Sequence, residues 1–141
     1  MIAARTRAET TAILDKNRVN PRTLTSVLGV LGRARKMEVC TWVYEWAKTE
    51  RMLNVVHYNR YIDVLGKDKR TERALEVFAQ MRGEGVQPDT ITYNALISAC
   101  EKGGQWERAL EVFAQMRGEG VRPNTITYNA LISACEKGGQ W

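Results

Sequence analysis

Apolar residues in this chain fall into helical stripes that alternate with short glycine and proline breaks. Over residues 92–102, Tyr93, Leu96, Ile97 and Cys100 stand at i, i+3, i+4 and i+7, one face of an amphipathic helix. Asn94 and Ser98 lie off that stripe and are expected to face away from the interhelix core. Ala109, Val112, Phe113 and Met116 repeat the spacing and predict a second helix over about residues 105–117. Thr92 or Thr90 is expected to cap the first helix, and Gly103-Gly104 to stop it, because glycine readily takes the left-handed conformation beyond a helix end. Gly118 and Gly120 end the second helix, and Val121-Arg122-Pro123 leads onward, since proline cannot continue a helix. No apolar alternation of period two occurs. The expected unit is two antiparallel helices, with Tyr93, Leu96, Ala109, Phe113 and Met116 buried between them.

That unit recurs. Residues 90–106, TITYNALISACEKGGQW, return unchanged at 125–141, and ERALEVFAQMRGEGV at 72–86 returns at 107–121, both displaced by 35 residues. Self-similarity at such a period is the mark of a solenoid, in which each hairpin covers its neighbour. His57-Tyr58-Asn59 matches Thr92-Tyr93-Asn94, so residues 55–89 form one unit and 90–124 the next. In the former Lys67-Asp68-Lys69 replaces the Gly-Gly turn, and a less sharply defined helix end is expected there. Residues 21–54 form a divergent unit of 34, residues 1–20 an N-terminal helical segment or the tail of an earlier unit, and 125–141 the first helix of a fourth. The fold expected is all-α: a right-handed solenoid of antiparallel helix pairs, about 3.5 repeats beyond the N-terminal segment.

Composition adds mostly exclusions. No run of 18 apolar residues is present, so no segment is long enough to span a membrane. The three cysteines include no C-x-x-C pair, and Cys100 and Cys135 are one position of successive units, so they are expected to be core residues. With His57 as the sole histidine, no zinc-ligand cluster can be drawn, and neither G-x-S-x-G nor a glycine-rich phosphate loop occurs. Nothing points to an enzyme, a metal or a cofactor. The charge is lopsided: residues 1–70 hold 14 Lys/Arg against 7 Asp/Glu, whereas residues 71–141 hold 7 against 9. An excess of positive charge suits a polyanionic partner. Arg33, Lys67, Lys102 and Lys137 recur near the end of each first helix, where a cation can meet a phosphate or simply favour the helix terminus.

TYNALI, the Gly-Gly turn, ERALEVFAQM, the Gly-x-Gly-Val stop and the Pro-Asp or Pro-Asn ending on a 35-residue frame resemble pentatricopeptide repeats of the P type. The resemblance implies sequence-specific binding of single-stranded RNA at one base per repeat, in mitochondrial or plastid RNA metabolism, although no clear targeting peptide is seen. It implies that each unit's fifth and last residues read a base while the second packs against base faces. The readers are then Thr25 with Asn54, Asn59 with Asp89, Asn94 with Asn124, and Asn129 without a partner. Val56, Ile91 and Ile126 would stack, with Arg22 at that position in the first unit, and Arg33, Lys67, Lys102 and Lys137 would contact phosphates. The implied site is A-U-(C/U). Apart from the resemblance, the asparagines can serve as helix caps and the stacking residues as core, and a solenoid can equally be a scaffold for protein partners. The unpaired helix at 125–141 exposes an apolar face, so self-association is expected there.

Overall fold

The structure, a computed structural model, describes residues 7–16, 20–21, 23–24, 27–28 and 37–139. Among them it holds seven helices and no strand: α1 (Arg7–Lys16), α2 (Met37–Thr49), α3 (Val55–Lys67), α4 (Thr71–Gly83), α5 (Thr90–Lys102), α6 (Trp106–Gly118) and α7 (Thr125–Lys137). The fold is an all-α helical solenoid. The first helices α3, α5 and α7 lie side by side as one layer, with α4 packed on α3 and α5, and α6 on α5 and α7. At the other end α1 packs on α2, and Trp46 Nε1 donates to Asp15 Oδ1 at 3.0 Å.

The helix starts differ from expectation. Neither Thr90 nor Thr92 is the cap; Asn54, Asp89 and Asn124 cap α3, α5 and α7 from extended backbone. Asp89 Oδ1 accepts the Thr92 amide at 3.0 Å, and Thr92 Oγ1 accepts the Asp89 amide at 3.1 Å, a reciprocal capping box. Thr92 is thus the third helical residue, and Thr90, the first, donates instead to the Arg122 carbonyl at 3.0 Å. Asn20 and Thr23 make the same reciprocal pair earlier in the chain. At α3 His57 takes the threonine's place: its Nδ1 accepts the Asn54 amide at 3.0 Å, which leaves the ring proton on Nε2 to be donated to the Pro21 carbonyl at 2.6 Å.

The end of α3 is no looser than the others. Lys69 takes φ +59°, the left-handed conformation that Gly104 takes at φ +72° after α5. The same two backbone bonds close both turns. Lys69 and Arg70 donate to Gly66 and Leu65, as Gly104 and Gln105 donate to Glu101 and Cys100.

Tyr93, Leu96, Ala109 and Met116 are buried as expected, but Phe113 is only half-buried. Its counterpart Phe78 is buried, edge-on at 5.5 Å to the fully buried Tyr93. Phe113 instead meets Tyr128, itself half exposed, and among the described residues no helix beyond α7 closes over the pair. Cys40 and Cys100 lie in the core, where burial pushes their thiols up to about 12 and about 11, and Cys135 is partly covered. Gly66 permits the close approach of α3 and α5: a Cβ there would stand 2.9 Å from the Ala99 Cβ.

Candidate functional site

The fifth residue of a unit sits on the first helix one turn beyond its start, and the last residue is the next unit's cap. Stacking α3, α5 and α7 side by side therefore brings these two sets together across each unit boundary. Asn59 Nδ2 donates to Asp89 Oδ1 at 3.1 Å, and Asn94 Nδ2 donates to Asn124 Oδ1 at the same distance. Both pairs line one groove of about 500 Å³, together with Val56, Ile91 and Ile126.

Asn59 and Asn94 are only 7% and 8% exposed, so they do not project into solvent as their place off the apolar stripe suggested; they sit in the groove floor. Thr92 Oγ1 donates to Asn59 Oδ1 at 2.5 Å, and Thr127 Oγ1 donates to Asn94 Oδ1. In each couple the Asn Oδ1 is therefore engaged by a threonine hydroxyl, and one hydrogen of its nitrogen is left uncommitted. Asp89 Oδ1 accepts from both Asn59 and the Thr92 amide, which leaves Oδ2 as the carboxylate's uncommitted acceptor. Asn124 Oδ1 is occupied in the same way, by Asn94 and the Thr127 amide, but what remains is its nitrogen, a donor. The two pairs thus offer different edges to the same groove.

Val56, Ile91 and Ile126 are 52%, 64% and 63% exposed, which excludes a core role for them. Large apolar side chains held at equal intervals along a groove suit a ligand with flat faces. Lys67 and Lys102 stand one turn past the groove residues Asp63 and Ser98 and bond to them, at 3.0 and 2.9 Å. Lys137 is drawn instead to Glu101 at 3.0 Å, a carboxylate that also accepts from Ser133. Partial burial pushes the Glu101 carboxyl up, but Ser133 and Lys137 outweigh it and hold it below its ordinary value. Asn54 caps α3 through Oδ1, and Asn129 is exposed on α7. Thr25, Arg33 and Arg22 lie outside the described residues.

Three groove residues escaped the sequence reading. Arg60, Asp63 and Ala95 line it because they stand one residue or one helical turn beyond Asn59 and Asn94, a placement that the helical spacing already contained; Ser98, placed off the apolar stripe from the sequence, lines it too.

The PPR repeat family model matches residues 53–102 and 88–137. Among curated proteins no sequence matches the chain. Among solved structures, the pentatricopeptide repeat protein PPR10 from maize is 29% identical, with a TM-score of 0.81 over 96% of this chain and 20% of that one. The same protein in complex with an 18-nt psaJ RNA element gives 28% identity and a TM-score of 0.79 over 94% and 20%. The PPR domain of Arabidopsis thaliana protein-only RNase P 1, in complex with tRNA, is 17% identical with a TM-score of 0.69 over 95% and 77%, a likeness of fold. The chain spans about a fifth of the maize protein's length.

Proposed function

This chain belongs to the PPR repeat family, and from that premise we propose that it binds single-stranded RNA along the groove, one base per unit boundary. The observation that carries the reading is the pair of hydrogen-bonded couples, Asn59 with Asp89 and Asn94 with Asn124, set with exposed apolar residues in one groove. The RNA in complex with the maize relative lends it further support.

The chemistry of each couple selects a base. Uracil carries an N3–H between two carbonyls, so an uncommitted carboxylate oxygen of Asp89 beside an uncommitted amide hydrogen of Asn59 matches it. Cytosine has a bare N3 acceptor, which that carboxylate repels. Asn124 presents an amide nitrogen instead, which can donate to cytosine N3 or to a uracil carbonyl, so this boundary takes either pyrimidine. Thr25 with Asn54 is assigned adenine by the family pattern, giving A-U-(C/U). Val56, Ile91 and Ile126 would lie against base faces, and Lys67, Lys102 and Lys137 would meet phosphates. The family's usual setting makes a mitochondrial or plastid transcript the natural target.

The test exchanges readers within a longer array of these units, probed with RNAs that differ at one base. Asn124→Asp is expected to sharpen its nucleotide toward uracil, and Asn94→Thr to turn it toward adenine, with no change in salt dependence because the phosphate contacts are untouched. Unchanged base preference in both variants would remove the reading and leave a protein-binding scaffold in its place. The isolated chain, with so few stacking sites at about 1–3 kcal/mol each, is expected to bind only in the micromolar to millimolar range.

A further inference from the structure

Base reading by an asparagine depends on which way its amide points, because a half-turn exchanges donor for acceptor. Both reader amides are held in one orientation by a hydroxyl from the following unit. We propose that Thr92 and Thr127 are specificity-determining positioning residues, each setting the amide of the preceding unit's reader so that it presents a donor to a pyrimidine carbonyl of single-stranded RNA. The inference rests on the groove being the RNA site.

Two independent constraints define the orientation. Asp89 is a carboxylate and can only accept, so the Asn59 atom 3.1 Å from it must be the nitrogen. That turns Oδ1 toward Thr92, whose hydroxyl accepts the Asp89 amide and has its single proton to give to the nearer of two acceptors, Asn59 Oδ1 at 2.5 Å against Asp89 Oδ1 at 3.0 Å. At the next boundary Asn124 Oδ1 is committed by the Thr127 amide at 3.2 Å, so Asn94 must again offer nitrogen, and its Oδ1, nearer to the Thr127 hydroxyl than Asn124 Oδ1 at 3.2 Å, takes the Thr127 proton. Asn59 and Asn94 are more than nine-tenths buried, so without that proton their oxygens would have no water to turn to. Rotation of the amide would set an acceptor where the base needs a donor. His57 holds the same place at the preceding boundary, but its Nε2 goes to the Pro21 carbonyl, so it supplies no such hydroxyl.

The experiment uses the 141-residue chain with short RNAs that differ at one nucleotide, titrated by NMR, which reads weak binding. Thr92→Val keeps the shape and removes the proton. It is expected to lower the base preference at the nucleotide facing Asn59 and Asp89 by about three- to tenfold, the worth of one hydrogen bond, and to leave that at Asn94 and Asn124 intact. Thr127→Val should do the reverse, and Thr92→Ser should keep the parent's preference at both. A role in capping alone would weaken binding without this crossover, so equal preferences in parent and valine variants, or losses that do not follow the boundary mutated, overturn the proposal. If Thr92→Val fails to fold, Thr127→Val decides the matter by the same criterion. Asn59→Ala separates the two levels: if it too leaves base preference unchanged, the groove is not the reading site, whereas altered preference there with none in the valine variants refutes the threonine lock alone.

Discussion

At the scale of single residues, the chain uses two solutions to the same backbone problem after its first helices. Gly104 and Gly139 adopt positive φ without a Cβ to obstruct it, while Lys69 adopts φ +59° with one. A left-handed lysine is held there by the surrounding bonds, from Lys69 to Gly66 and from Arg70 to Leu65, both about as short as their counterparts after α5. The Cβ cost is about 1–2 kcal/mol, partly offset by the greater chain entropy, about 0.5–1 kcal/mol, that glycine loses on folding. Lys69→Gly is therefore expected to stabilise the protein by about 0.5–1 kcal/mol, read as a higher urea midpoint at unchanged slope. A lower midpoint would mean that the lysine side chain contributes more than its backbone costs. The turn was hidden in the sequence for this reason: Lys67-Asp68-Lys69 carries no glycine, and the conformation comes from bonds to residues a turn earlier. The caps were hidden differently. Asp89, Thr90 and Thr92 can all cap by type, and only the backbone decides, since Asp89 alone is extended while the threonines are already helical. What the residue types did carry was the reciprocal pairing, because a threonine three residues beyond an Asp or Asn is what a capping box requires.

At the scale of helices, the apolar spacing was enough to place α5 and α6 to within two residues, since a period of 3.6 with glycine stops leaves little choice. It could not say how deeply each face is buried, because burial depends on the helix that comes next. Phe78 and Phe113 are the same residue in identical sequence, yet Phe78 is shielded by a covered Tyr93 and Phe113 shares its exposure with Tyr128. Phe78→Ala is expected to cost about 3–5 kcal/mol, as for a buried aromatic ring, and Phe113→Ala about half as much or less. Each also loses an arginine over its ring, Arg82 at 5.6 Å and Arg117 at 5.8 Å, so that contribution largely cancels in the comparison. Equal losses in thermal or chemical denaturation would show that α7 covers Phe113 better than its geometry indicates. The same dependence on neighbours explains Val56, Ile91 and Ile126: an apolar residue at the second helical position reads as core by type, but the side-by-side layer of first helices leaves it facing the groove.

At the scale of the whole molecule, a stack of hairpins gives each helix one neighbour on either side, and the end helix of this chain has one face without a neighbour. Tyr128 and Ile132 on α7 are 49% and 64% exposed, whereas Tyr93 and Ile97, their counterparts on α5, are fully buried. Two large side chains in contact with water at adjacent turns form an apolar patch, and the same positions on α5 are covered. Self-association through α7 is therefore expected, with apparent mass rising with concentration in light scattering. Tyr128→Ser with Ile132→Ser should return the chain to a monomer while leaving the melting of the inner units nearly unchanged, because stability in a stacked array is largely a sum of units and their immediate interfaces. A chain already monomeric at high concentration, with α7 amides as protected from hydrogen exchange as those of α5, would refute the expectation and indicate that α6 alone suffices to hold α7. The outcome bears on the proposed RNA binding, because Ile126 and Asn124 lie at the start of the same helix. If copies associate through Tyr128 and Ile132, the half-groove formed by α5 and α7 remains open, and a dimer would carry two binding segments, so affinity for a long RNA should rise with protein concentration while affinity for a trinucleotide should not.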